Sequence, residues 1–286
     1  MTVKTPLLSI NELSVTYGSG TDAVKAVRNL SCDIGCAEVV GLVGESGSGK
    51  STVAQAILGL LDSDNSAISG RIEFSADNVL AYDSAQWRAV RGSRIGMLFQ
   101  SPESSFNPVT TIGEQMLESL CWHKALSKAQ AKTAAIKALS DVGMPRPDEV
   151  FHHYAFELSG GMCQRAALAL AMSLQPSLLL ADEPTASLDV VAQAELVRWM
   201  GRVQKQRQLA MLVISHDLNL IARLADRILV MYQGEILEQG PTRSVLENPQ
   251  HDYTRALINA VPRLTKYPSI SAGESLYQAN TEEVQS

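Results

Sequence analysis

The sequence predicts an α/β fold built on a mostly parallel sheet, and three observations carry that expectation. Short apolar runs, EVVGLV (38–43), LLLADE (178–183), AMLVIS (210–215) and RILVMY (227–232), have strand length, and the last three are separated by stretches with helical spacing, an alternation typical of parallel sheets. The stretch GESGSGKS (44–51) follows one such strand directly and opens the helical pattern KSTVAQAILGL, which is the strand, loop, helix setting of a phosphate-binding loop. The acidic pair Asp182-Glu183 ends another strand, and ligands of open α/β sheets bind at strand ends.

In chain order, LLSINELSVTY (7–17) and VKAVRNLSCDI (24–34) show short apolar alternations and read as strands, followed by the buried-looking EVVGLV. A helix is expected over 50–60, and strands at RIEF (71–74) and RIGMLFQ (94–100). Between Ile112 and Leu158 the character changes: GEQMLESLCWHKAL and SKAQAKTAAIKALSDVG have helical spacing, and Gly143 with Pro145 ends the second. We read this as a helical subdomain, at about 101–160, inserted in a globular unit spanning 1–262. The polar stretch 263–286 is expected to be a loosely ordered tail.

The bulk numbers exclude several classes. A chain of 286 residues, 45% hydrophobic, buries a substantial core. A net charge of -6 argues against a nucleic-acid partner, which selects for a basic face. The four cysteines form no C-x-x-C pair and lack zinc-ligand spacing with the histidines, so they read as reduced thiols. The adjacent His152-His153 pair lacks the i, i+4 face of a helical metal site. MTVKTPLLSI lacks a long apolar h-region, and no apolar run reaches the roughly 18–20 residues of a membrane span, so a soluble, cytoplasmic chain is expected.

The chemistry starts at the first glycine loop. Its glycines let the backbone curl until N–H groups point at a phosphate; Lys50 adds a point charge, and the Ser51 hydroxyl suits Mg²⁺. The cradle is read as Gly44, Glu45, Ser46, Gly47, Ser48, Gly49, Lys50, Ser51 and Thr52. At the end of LLLADE, Asp182 is placed to hold Mg²⁺ through water and Glu183 to polarise an attacking water as general base. His216 ends AMLVIS at the same edge, and Gln100 ends RIGMLFQ. A second anion-suited helix start, Ser159-Gly160-Gly161 in FELSGGMCQR, precedes the apolar run AALALAMSL.

The order of these motifs, phosphate loop, Gln100, LSGGM, Asp-Glu strand, Ser187-Leu188-Asp189, His216, resembles the ATP-binding cassette (ABC) ATPases from Leu8 to about Gly240. The resemblance implies a P-loop core with an N-terminal antiparallel β-subdomain and a helical subdomain, ATP and Mg²⁺ as cofactors, and ATP hydrolysis as the activity. It further implies Tyr17 as the platform stacking on adenine, Gln100 as a Mg²⁺-linked glutamine facing a transporter contact, Asp189 as the acid of the loop after the Asp-Glu strand, and His216 as a γ-phosphate contact. Stacking tolerates base identity, so GTP stays open. In that family the Ser159 loop caps the nucleotide of an opposing subunit. Met162 departs from the commoner LSGGQ, and Cys163 stands where relatives often carry a basic residue.

SPESSFNPVTTIGEQ (101–115) and NPQHDYTRALINAVP (248–262) are similar to the peptide and nickel importer branch, and LDVVAQAE (188–195) to its nickel subunits. That branch implies a second, different ATPase subunit, two transmembrane permease subunits, an extracytoplasmic substrate-binding protein, and a peripheral place on the cytoplasmic face of the inner membrane. HDYT replaces the usual HPYT, and the tail lacks the cysteine cluster of many relatives, so no iron–sulfur site is expected. Nickel, a nickel chelate and short peptides all stay open as cargo. A soluble ABC ATPase of translation or DNA repair is the alternative, but the former usually carries two cassettes and the latter a long coiled-coil insertion. A regulatory module without turnover is the third reading, and Glu183 with His216 counts against it.

Overall fold

The computed structural model describes residues 5–186 and 188–260; the expected polar tail, 263–286, lies outside the described residues. Two sheets form the frame. The first is antiparallel, in the order β2-β1-β4-β5, from β1 (Leu8–Tyr17), β2 (Val24–Ile34), β4 (Ser66–Phe74) and the two-residue β5 (Asp77–Asn78). The second has six strands in the order β10-β9-β3-β8-β7-β6: β3 (Val39–Val43), β6 (Ile95–Leu98), β7 (Leu178–Asp182), β8 (Ala210–Ser215) and β9 (Arg227–Tyr232) are parallel, and β10 (Glu235–Pro241) closes one edge antiparallel to β9. This edge strand is an addition to the strands read from sequence.

The alternation in β1 changes parity midway, since Leu8 and Ile10 face the core and so do Leu13 and Val15. A bulge at Glu12, with φ 50°, absorbs the extra residue. Opposite it a Cβ at Gly70 would stand 2.5 Å from the Glu12 carbonyl oxygen, so glycine is required there. The neighbouring β2 switches parity too, with Asn29 at φ 48° and its N–H donated to Ser14 Oγ at 2.9 Å.

Helices cover the rest. Helix α1 (Lys50–Ile57) follows the glycine loop, and α2 (Ser84–Val90) is started by an Asp83–Gln86 capping box. The stretch between β6 and β7 is helical, as its spacing predicted: α3 (Ile112–Lys124), α4 (Lys128–Asp141), α5 (Pro147–Val150) and α6 (Gly160–Ser173). Thr111–Glu114 and Ser127–Gln130 capping boxes start α3 and α4, and Ile112, Met116, Leu120 pack with Ala131, Ala135, Leu139 at helical spacing. Helices α7 (Val190–Arg207), α8 (Leu218–Leu224), α9 (Thr242–Glu247) and α10 (Asp252–Ala260) complete the described residues.

The six-stranded sheet is a wall between two hydrophobic cores. Val39, Val43, Leu98, Leu179, Ala181, Met211, Val213, Ile228 and Val230 face the helical side. Val40, Leu42, Ile95, Leu178, Leu180, Ala210, Leu212, Ile214, Leu229 and Met231 face α1 and the antiparallel sheet. Both faces being covered explains why these strands read as unbroken apolar runs rather than alternating ones.

Candidate functional site

Strand register builds the site. Val43 lies opposite Ser215, Asp182 opposite Ile214, and Leu98 opposite Ala181. Gly44, His216 and Glu183, which directly follow β3, β8 and β7, and Gln100, two residues past β6, therefore emerge at one edge of the sheet.

The glycine loop is packed against its own chain. A Cβ at Gly44 would stand 2.1 Å from the Met231 carbonyl oxygen, and one at Gly49, whose φ is 103°, 2.1 Å from that of Ala26. Any side chain at either position collides with backbone. Lys50 is only 6% exposed, and its ammonium donates to Gly44 O at 2.8 Å and Glu45 O at 2.7 Å. Burial pulls the Lys50 pKa down, and Glu183, Asp182 and Glu45 oppose it. Glu45, Ser46, Gly47 and Ser51 are exposed, Gly49 and Thr52 half-buried, and Ser48 buried. Tyr17, at the end of β1, leans on α1: its hydroxyl reaches Thr52 Oγ1 at 3.4 Å and Gln55 Oε1 at 3.3 Å.

At the end of β7, burial pushes the Asp182 carboxyl upward, with Glu183 adding to the rise and Ser51 and Lys50 opposing it. Its Oδ1 is buried with no hydrogen-bond partner among the described residues, which leaves an oxygen that could take a cation beside the phosphate loop. Glu183 has φ 46°, and its carboxylate is held on three sides: His216 N–H at 3.0 Å and His216 Nδ1 at 2.9 Å on Oε1, and the Ser215 hydroxyl, donating at 3.1 Å, on Oε2. Ser215 was not singled out from sequence; its place as the last residue of AMLVIS, directly before His216, is the signal.

Gln100 is exposed. Asp189 caps α7, accepting the N–H groups of Val191 and Ala192 at 2.9 Å each. Ser159 caps α6 through the Met162 N–H at 3.4 Å and is exposed. Gly161 is held differently from the first loop: among the described residues an added Cβ would meet only Ala192 Cβ and Leu188 Cδ2 at 3.8 Å, ordinary contact distance, and its φ is one any residue adopts. Cys163 is fully buried in the helical-side core, and burial first, Glu103 second, pushes its thiol up to about 11. His152 is exposed, with its ring edge-on to Phe151 at 5.1 Å. Among the described residues no cluster of histidine, cysteine, aspartate and glutamate is arranged to hold a metal by itself, and no helix is long and apolar enough to cross a membrane.

Comparison with known proteins decides the family, because the ABC transporter profile matches residues 27–186, more than half of the chain. The chain belongs to the ABC transporter family. It is an ATP-binding, ATP-hydrolysing cassette of the peptide-importer branch. The profile of the oligopeptide/dipeptide transporter C-terminal region matches residues 237–281. A dipeptide transport ATP-binding protein, DppD of Haemophilus influenzae, is 39% identical over 260 residues, covering 91% of this chain and 79% of the relative. An oligopeptide transport ATP-binding protein, OppD of Salmonella typhimurium, is 40% identical over 258 residues, covering 90% and 77%. Among solved structures, a dimeric ATP-binding cassette in a post-hydrolysis state, bound to ADP and Pi, superposes with a TM-score of 0.75 at 25% identity over 82% of this chain and 99% of that one.

Proposed function

We propose that this chain powers the import of short peptides, as one of two ATPase subunits docked on two membrane-spanning permease subunits at the cytoplasmic face of the membrane and served by an extracytoplasmic binding protein. The observation that carries this reading is the C-terminal match at 237–281, joined to about 40% identity with dipeptide and oligopeptide transport ATPases over nine-tenths of the chain. Glutathione import in a further relative, 40% identical, points to the same cargo chemistry. Nickel is the second reading, favoured by LDVVAQAE (188–195).

The residues divide the work as follows. Lys50 and the N–H groups of 46–51 hold the β- and γ-phosphates, and Tyr17 supports the base. Ser51 and the unpartnered Oδ1 of Asp182 fit a hydrated magnesium ion, which would neutralise phosphate charge when bound. Glu183, oriented by Ser215 and His216, takes the proton of the attacking water, a role worth about 10²–10⁴ in rate. Ser159, Gly160 and Gly161 face the nucleotide of the second subunit, since Gly161 answers no need of its own chain's backbone.

Uptake of a labelled dipeptide and of labelled nickel by cells carrying Glu183→Gln tests the cargo. Loss of dipeptide uptake supports the peptide reading. Intact dipeptide uptake with lost nickel uptake replaces it by the nickel reading, and two intact uptakes reject both.

A further inference from the structure

Helix α10 touches the phosphate loop from the far end of the chain. The Tyr253 hydroxyl accepts the backbone N–H of Glu45 at 3.1 Å. That N–H belongs to the peptide unit joining Gly44 to Glu45, whose carbonyl oxygen, Gly44 O, accepts the Lys50 ammonium at 2.8 Å. One peptide plane is thus gripped at both ends, by a tyrosine on its donor side and by the phosphate-loop lysine on its acceptor side.

Tyr253 is itself held firmly. Its ring packs on Tyr232, at the end of β9, with centroids 4.4 Å apart and planes tilted by 41°. Its backbone N–H donates to His251 Nδ1 at 3.1 Å. The turn before it is pinned to β10, because the Glu238 carboxylate accepts the N–H groups of Gln250 at 2.8 Å and His251 at 3.0 Å. Burial would raise the Glu238 carboxyl, but these donors outweigh it and hold it below the usual range, so it stays an ionised acceptor. Burial pushes the Tyr253 hydroxyl above the usual phenol range, against the pull of the Glu45 N–H, so the oxygen facing the loop is that of a neutral phenol at physiological pH.

We propose that Tyr253 is a positioning residue for ATP binding: through its hydroxyl it fixes the Gly44–Glu45 peptide plane and thereby the resting place from which Lys50 reaches the phosphates. The C-terminal segment, from β10 to α10, is on this view a brace for the nucleotide loop. Glu45, Ser46 and Gly47 are exposed on the solvent side of this peptide unit, so the brace holds its donor side against rotation about the flanking bonds as Lys50 holds the acceptor side. The inference rests on reading Lys50 as a phosphate contact.

The test uses the full chain assembled with its membrane subunits. Tyr253→Phe keeps the ring on Tyr232 and deletes only the acceptor; the loss of one such hydrogen bond raises the KM for ATP about 3- to 10-fold, with kcat within twofold and the melting temperature of the free chain unchanged. Glu238→Gln, which touches the loop only through the 250–251 turn, shifts KM in the same direction. A KM for Tyr253→Phe within twofold of wild type overturns the proposal, and so does a melting temperature lowered as far as in Tyr253→Ala, which would make the residue a packing element. Lys50→Ala is measured in parallel: if it binds ATP as wild type does, the reading of the loop falls and the inference with it, whereas weakened binding there with an unmoved Tyr253→Phe removes the inference alone.

Discussion

An added methyl group separates the two glycine loops of this chain. At Gly44 and Gly49 of the first loop it collides with the carbonyl oxygens of Met231 and Ala26; at Gly161 of the second it meets Ala192 and Leu188 at ordinary distance. The first loop is closed by β2, β9 and α10 of its own chain, and its lysine is satisfied internally. At the second, the serine is exposed and Gly161 has room to spare. Backbone crowding thus requires glycine at Gly44 and Gly49, whereas no contact among the described residues requires it at Gly161.

Breaking the chemistry next to the first loop gives the largest expected effect. Glu183→Gln lowers ATP turnover of the assembled transporter about 10²- to 10⁴-fold while preserving ATP binding, as steady-state hydrolysis and nucleotide titration will show. A normal rate would remove Glu183 from the role of base. Substitution of the glycines sharpens the contrast directly. Gly49→Ala carries about 1–3 kcal/mol of backbone strain besides its overlap with Ala26, and calorimetry of the free chain should find lost stability together with lost ATP binding. Gly161→Ala should leave both untouched, since alanine is the better helix residue. If the two variants melt alike, the comparison fails.

Ser159→Arg asks whether the second loop acts across an interface. ATP affinity of the isolated chain should be retained, with transporter ATPase reduced at least about tenfold by a side chain intruding on the partner's nucleotide. Lost binding in the isolated chain would place the loop in its own chain's site instead. The smallest effect is expected from Ser215→Ala. Removing one of the three hydrogen bonds on Glu183 should lower kcat about 2- to 10-fold with KM for ATP unchanged, and a shifted KM would mean that Ser215 acts on binding rather than on the base.

Most of this site was legible because it is local. GESGSGKS, LLLADE and AMLVIS followed by His216 each carry strand, turn and functional residue within a few positions, and the parallel register then brings them together. The helices from Ile112 onward announced themselves through spacing and capping pairs. What escaped depends on distance. In sequence NPQHDYT marks the branch, but Tyr253 meets Glu45 across 208 positions, and no pattern within the segment encodes that contact. The bulge at Glu12 and the edge strand β10 were missed for a related reason: both are defined by a partner strand rather than by their own composition. At Asp189 the resemblance names a family position, while the geometry shows a helix cap, a role that any Asp before an apolar helix can fill.

The wall between the two cores sets a limit on how this protein can change over generations. Each residue of β7 is owed to one side, Leu179 and Ala181 to the helices, Leu178 and Leu180 to α1 and the antiparallel sheet. Deleting a single codon there would exchange the two sets and withdraw Asp182 and Glu183 from the edge together. Insertions and deletions are therefore excluded from the strands that carry the chemistry and confined to exposed connections such as Asp62–Asn65, which belongs to neither core. Divergence has to proceed by substitution in this part of the gene and by length variation elsewhere.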